Sequence, residues 1–320
     1  MTKNKFCSNI WTVNYLGDRF KVPYCSNYSL KEYEPNLTRA IVVIHGTNRK
    51  AQKVYQDLLA IAKRTDRADR NTIIVAPQFI TDEELIKYGL GDRYLYWTKN
   101  SWKSGSLSQK NKYGFRYSSY SIVDDLVKAL SKKDKFPKLK EIILIGHSAG
   151  GQFVNRYAAG SPIKLNQIKM TYVVLNPSSY LYLDNKRAIE GSLNKFEILA
   201  PSVQHNCPNY NKYKYGLSNP YHYLKQTAPE NIIKQYARRD VIYLLGSQDN
   251  NPNSPYLAKS CQAMLQGRNR LERGIIFYNY LADFYGYQPH KQIIISGVGH
   301  NSQKMFNSDA AKSILFSSIF

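Results

Sequence analysis

The segment Glu141–Gly151, EIILIGHSAGG, constrains the fold of this chain more than any other. Ile142, Ile143, Leu144 and Ile145 form an apolar, mostly β-branched run that reads as a buried strand. The run passes directly into Gly146-His147-Ser148-Ala149-Gly150, and a helical pattern begins at once. A strand-to-helix turn that sharp leaves no room for side chains at its flanks, so Gly146 and Gly150 are expected to let backbones approach. Ser148 then stands at the apex in a strained conformation, its hydroxyl clear of the sheet. A G-x-S-x-G turn of this kind is useful only with a base, an acid and an oxyanion hole nearby, so it predicts where other residues must lie.

Three further segments answer that demand. In Asp240–Asn251, DVIYLLGSQDNN, the apolar run Val241–Leu245 is followed by a loop carrying Asp249. In Lys291–Ser302, KQIIISGVGHNS, the strand Ile293–Ile295 leads into a Gly-rich loop holding His300. Upstream, Arg39–Asn48, RAIVVIHGTN, reads as a strand over Ala40–Ile44 ending in His45-Gly46-Thr47-Asn48. Open parallel sheets place their sites at the carboxyl ends of the strands, and Ser148, Asp249 and His300 each fall just beyond such an end. Of the six histidines, His45 and His147 belong to the turns themselves and His290 precedes its strand. His205 and His222 remain as competitors for the base, and Asp184 as the alternative acid. Gly297-Val298-Gly299 has the start of a dinucleotide loop, but Ser302 stands where a glycine is needed and too little chain follows.

The order Ser148, Asp249, His300, together with the glycine-flanked serine, resembles the α/β-hydrolase superfamily and its esterase- and lipase-like serine hydrolases. The resemblance runs from about Ala40 to Phe320. It implies an α/β fold: a doubly wound, mostly parallel sheet with helices on both faces and antiparallel N-terminal edge strands. It also implies Ser148 as nucleophile, His300 as general base and Asp249 as the orienting acid. The His-Gly segment resembles the loop that supplies one oxyanion-hole N–H in many esterases. By that resemblance the donors are the backbone N–H groups of Ala149 and of either Thr47 or Asn48, worth about 3 to 4 kcal/mol each. The expected reaction is cleavage of a carboxylester through an acyl-enzyme, on a small-molecule or polymeric acyl substrate, with no cofactor or metal required. The alternatives are an amide, thioester or polyester on the same machinery, or a non-catalytic basic protein that binds surfaces. His147, Trp97, Trp102 and Tyr180 are the expected lining of the substrate site.

The 320 residues suit one large α/β domain spanning 1–320, with long active-site insertions at about 79–120 and 177–240. Edge strands are expected over Trp11–Gly17 and Arg19–Tyr24. Core strands are expected over Ala40–Ile44, Thr72–Ala76, Ile142–Ile145, Thr171–Leu175, Val241–Leu245 and Gln292–Ile295, whose continuous apolar character fits strands covered on both faces. Helical patterns cover Ala51–Arg64, Ser121–Lys132, Ser148–Ala159, Pro255–Gln266 and Asp309–Phe316, with Ser121 and Asp124 as a capping box. The formal charge of +22 reads first as a solvated lysine-rich surface, densest at Lys132, Lys133, Lys135, Lys138 and Lys140. Contact with an anionic surface is the functional alternative. No motif points to specific nucleic acid binding, no apolar run is long enough for a transmembrane helix, and a monomer is expected. Four cysteines without C-x-x-C spacing argue against zinc. Cys7 with Cys25, and Cys207 with Cys261, are the expected disulfides, with reduced buried thiols as the alternative. Disulfides imply an oxidising compartment, so a secreted or periplasmic protein with its leader removed is expected, the cytoplasm being the alternative.

Overall fold

In the computed structural model, which describes residues 7–317, every apolar run named above becomes a strand of one sheet. The strands are β1 (Asn9–Tyr15), β2 (Asp18–Ser26), β3 (Arg39–Ile44), β4 (Thr72–Pro77), β5 (Glu141–His147), β6 (Lys169–Leu175), β7 (Lys186–Ala188), β8 (Phe196–Ile198), β9 (Asp240–Gly246) and β10 (Lys291–Ile295). Eight of them lie in the order β1-β2-β4-β3-β5-β6-β9-β10, and β7 with β8 forms a separate hairpin inside the long insertion. β2 pairs antiparallel with β1 and with β4. All other pairings in the large sheet are parallel. The fold is the expected doubly wound α/β sheet with an antiparallel edge.

Helices cover both faces, and the period-two alternation of the strands decides which side chains meet which helices. They are α1 (Ala51–Arg64), α2 (Asp82–Lys87), α3 (Ser119–Leu130), α4 (Ala149–Gly160), α5 (Pro201–Asn206), α6 (Pro229–Ala237), α7 (Cys261–Met264), α8 (Arg270–Tyr285), α9 (Ser302–Phe306) and α10 (Asp309–Phe316). Ile41, Val43, Ile143, Ile145 and Val173 point to one face, against Leu58 and Ile61 of α1 and Phe306 and Leu315 of α9 and α10. Val42, Ile142, Leu144 and Val174 point to the other, against α3, α4 and α8 through Leu126, Phe153 and Phe277.

Three local expectations need correction. The helix expected over Pro255–Gln266 shrinks to the single turn α7, and the chain instead builds the 16-residue α8. That helix was missed because Arg270 and Arg273 sit on its buried side, which interrupts the apolar stripe that marks a helix in sequence. The capping box of Ser121 and Asp124 does not form. α3 starts earlier and is capped by Ser118, whose side chain accepts from Tyr120 N. Asp124 is buried within the helix and accepts from the hydroxyls of Tyr157 (2.7 Å), Tyr223 (2.7 Å) and Ser161 (3.2 Å). Burial pushes its carboxyl above the ordinary range.

Both expected disulfides form, Cys7–Cys25 and Cys207–Cys261. The first ties the N-terminal segment to β2, and the second ties the end of α5 to the start of α7. The lysine run 132–140 fills the connection from α3 to β5, at the opposite end of β5 from Ser148. Among the described residues no helix is long and apolar enough to cross a membrane.

Candidate active site

The turn after β5 is as tight as its glycines suggest. A Cβ on Gly146 would lie 2.4 Å from the backbone of Gly150, and one on Gly150 would lie 2.2 Å from Ile44 O. Gly151 is equally confined, at 2.6 Å from Leu175 O. These are backbone obstacles that cannot rotate away. Gly150→Ala is therefore expected to destabilise the fold by about 1–3 kcal/mol through overpacking, read as a lowered denaturation midpoint; an unchanged midpoint would mean the turn can open.

Ser148, as N-cap of α4, is held at φ 60°, ψ −116°. A non-glycine residue seldom adopts such a conformation, and it persists only where the surroundings over-determine it. Here Ser148 N donates to Leu175 O (2.9 Å), and its carbonyl accepts from Gln152 N (3.0 Å). Together they clamp the apex between β6 and the first turn of α4.

His300 and Asp249 reach the same rim because their loops are stitched together. Ser247 N donates to Ile295 O (2.9 Å) and Gln248 N to Val298 O (2.9 Å). Gly297 N, in the left-handed conformation that its glycine permits, donates to Ser247 Oγ (2.9 Å). A second tie comes from Asn176, whose side-chain oxygen accepts from Gly246 N (2.8 Å) and joins the ends of β6 and β9. As a result His300 Nε2 lies 3.0 Å from Ser148 Oγ and His300 Nδ1 lies 2.6 Å from Asp249 Oδ2. The tautomer that satisfies both contacts carries its proton on Nδ1, donates to the carboxylate and accepts from the serine hydroxyl.

The sequence did not point to Arg270. Its Nη1 lies 3.3 Å from Asp249 Oδ1, and the side chains are 0% and 2% exposed. The guanidinium also donates to Ser178 Oγ (3.0 Å), Ser254 Oγ (2.9 Å) and Pro255 O (3.2 Å). Asp249 thus faces His300 with one oxygen and a buried cation with the other, an arrangement that fixes the orientation of the carboxylate. Nothing in the sequence around Arg270 marks this role, since the partner lies 21 residues away across a turn.

His45 is fully buried, and Nε2 accepts from Phe79 N (3.1 Å), which leaves the Nδ1 proton for Gly46 O (3.0 Å). Burial pushes its pKa down to about 4, so the ring is neutral and serves as a fixed prop. The following loop is pinned by Arg49, which donates to Thr47 O (3.1 Å) and pairs with Glu84 (3.0 Å). Among the described residues the N–H groups of Ala149, Thr47 and Asn48 enter no hydrogen bond. That of Ala149 opens α4, where the helix dipole favours negative charge.

Of the expected lining residues, only His147 faces the site. Its ring lies 4.5 Å from that of His300, and burial beside His300 and Arg270 keeps it neutral. Trp97 and Trp102 are fully buried, so neither forms a pocket wall as expected. Trp102 lies 4.5 Å from the His45 ring, and Phe79 packs between the two indoles. Aromatic area of that size is more favourably buried than left facing water, and Trp102 supports His45 at the end of β3. Tyr180 is likewise a core residue, stacked 4.5 Å from Phe277 with its backbone bonded to Gln266. The alternative acid Asp184 accepts from Tyr280 OH and Lys186 N (3.0 and 2.9 Å), and His205 and His222 are exposed in the insertion. Among the described residues no three His, Cys, Asp or Glu side chains gather as a metal site.

A serine on such a turn, at the carboxyl ends of a mostly parallel sheet, defines a protein of the α/β-hydrolase class. The sequence matches the BAAT / acyl-CoA thioester hydrolase C-terminal family over residues 127–298. That is more than half of the chain, and the protein belongs to this family. The matched span contains Ser148 and Asp249 and stops two residues short of His300. No curated protein sequence matches the chain. Among solved structures it is similar to poly(aspartic acid) hydrolase-1 from Sphingomonas sp. KT-1, at 20% identity and a TM-score of 0.62, over 98% of this chain and 100% of that one. It is also similar to LpqC, a poly(3-hydroxybutyrate) depolymerase from Bordetella parapertussis, at 18% identity and a TM-score of 0.62, over 96% of this chain and 89% of that one. At these identities the likeness is one of fold.

Proposed function

We propose that the protein is a serine hydrolase that cleaves an acyl ester through Ser148, His300 and Asp249. The observation that carries this reading is the unbroken contact from Ser148 Oγ to His300 (3.0 Å) and on to Asp249 (2.6 Å). His300 Nε2 takes the hydroxyl proton as Ser148 Oγ attacks the carbonyl carbon, and Asp249 stabilises the imidazolium that forms. The oxyanion is held by the N–H of Ala149 and one N–H of the Thr47–Asn48 loop. Collapse breaks the bond to the leaving group, which takes the proton from His300. Water then repeats the sequence on the acyl-enzyme and frees the acid. The whole chain acts as one domain in this reading, and its two disulfides favour a secreted or periplasmic setting.

A fluorophosphonate probe tests the reading, because only an activated serine reacts with it. One label per chain, on the peptide holding Ser148, is the expected result by mass spectrometry. An unlabelled folded protein would remove the proposal. A thioester is the second reading, favoured by the family match; relative rates on p-nitrophenyl esters and acyl-CoA compounds distinguish the two.

A further inference from the structure

Three buried histidines lie among the described residues, and they are not held alike. His45 has both ring nitrogens engaged, by Phe79 N (3.1 Å) and Gly46 O (3.0 Å). His290 likewise meets Tyr243 OH at Nδ1 (3.2 Å) and Tyr236 O at Nε2 (2.9 Å). His147, the last residue of β5 and 7% exposed, differs. Its Nε2 is shut off from solvent and has no hydrogen-bond partner among the described residues. A polar atom buried in that way costs stability that an apolar side chain of similar volume would keep. Packing therefore does not account for an imidazole at this position.

What the ring meets is the base itself. The centroids of His147 and His300 are 4.5 Å apart, with their planes tilted by 38°. His300 uses both nitrogens in its own plane, Nε2 at Ser148 Oγ (3.0 Å) and Nδ1 at Asp249 Oδ2 (2.6 Å). Neither contact covers a face of the ring, and His147 covers one. A cation within about 6 Å of an aromatic centroid is drawn to the face of that ring, and His300 becomes a cation when it takes the serine proton. Two charged groups bear on it. Asp249, from the loop after β9, favours the imidazolium, and Arg270 of α8, on the far oxygen of Asp249, opposes it. Burial, with His300 and Arg270 adding, holds His147 well below the ordinary histidine range. It therefore presents a neutral ring face, not a second positive charge.

Resting on the acyl-hydrolase reading, we propose that His147 is a positioning residue for the base. Its neutral ring backs His300 and favours the imidazolium formed as the proton passes from Ser148 Oγ to His300 Nε2. The benefit depends on pH. Where His300 starts neutral, the charge appears during the reaction and the ring face lowers the barrier. At lower pH, where His300 starts charged, the face favours both states alike and changes nothing. Loss of a merely structural side chain would instead slow the reaction by one factor at every pH.

The experiment follows kcat/KM on p-nitrophenyl butyrate against pH for wild type, His147→Leu, His147→Ala and His147→Phe, with rates expressed per fluorophosphonate-labelled site. In the leucine variant the plateau is expected to fall about tenfold and the acidic limb to move about one unit lower, so that the two curves converge at the acid end. Phenylalanine, which keeps a ring face, is expected to retain most of the rate. Leucine gives up no hydrogen bond of Nε2, so its denaturation midpoint should equal or exceed that of wild type. Should it fail to fold, the alanine variant carries the same comparison, and failure of both would make the ring structural and overturn the proposal. Curves that match wild type, or that lie below it by one factor throughout, overturn it as well. A folded wild type that takes no label defeats the hydrolase reading instead. NMR titration of the His300 ring then still tests the stack: a midpoint lower in the leucine variant supports it, and coincident curves remove it.

Discussion

Ser148→Ala is expected to lower kcat on p-nitrophenyl esters by about a million-fold, the scale known for removal of a protease serine. The size of the loss follows from how alone this hydroxyl is. The neighbouring Ser178 Oγ is engaged by Arg270 (3.0 Å), and Ser179 Oγ is bonded to Arg156 (2.8 Å) and Gln152 (3.1 Å). Neither is free to attack in its place. Alanine meets the same backbone strain at φ 60° that serine does, so the turn keeps its shape and the N–H of Ala149 keeps its direction. The variant should therefore unfold at the wild-type temperature while losing both turnover and the fluorophosphonate label. Steady-state rates within a factor of ten of wild type would mean that another group carries the chemistry.

Asp249→Asn is expected to lower kcat by about ten-thousand-fold, because an amide presents a donor to His300 Nδ1 and traps the imidazole in the wrong tautomer. In this protein the same change has a second consequence. Arg270 loses the only carboxylate it pairs with among the described residues while remaining fully buried, and breaking a buried pair from one side costs about 3–5 kcal/mol. Ser178, Ser254 and Pro255 retain part of the guanidinium's hydrogen bonding, which places the loss at the lower end of that range. The two effects separate in the double variant with Arg270→Met, which should regain stability by denaturant titration but not turnover. A stable, active Asp249→Asn variant would show that the pair of contacts at 2.6 and 3.3 Å matters to neither property.

The parts of the fold that were legible were those with a local cause. Each core strand but β10 announces itself by four or more consecutive apolar residues, since a strand covered on both faces has no polar side to show; β10, expected to be covered as well, has three such residues and is an exposed edge of the sheet. Gly146 was readable because its obstacle, the backbone of Gly150, lies four residues on, whereas Gly150 faces Ile44 O of the neighbouring strand and was legible only through the G-x-S-x-G pattern. Ser148, Asp249 and His300 could be picked out because each follows its own strand, and the structure brings all three together at one rim. Where the cause was distant the reading failed. Trp97 and Trp102 read in sequence as lining of the substrate site, but Phe79, His45 and Phe153 from other segments pack against them. Tyr180 is covered by Phe277 from a helix that the sequence concealed.

From its residue order alone this chain specified a layered sheet, the turn that exposes Ser148, and which carboxylate and imidazole follow strands in the right succession. Those features depend on neighbours within a few positions, so they survive in a linear reading. Only the packed structure decided that Arg270 grips the far oxygen of Asp249, that Trp102 packs against His45, and that Arg156 bonds to the backbone of both insertions. Each of those contacts joins segments between 21 and 58 residues apart. Burial and charge pairing over such separations exist only once the chain has closed on itself.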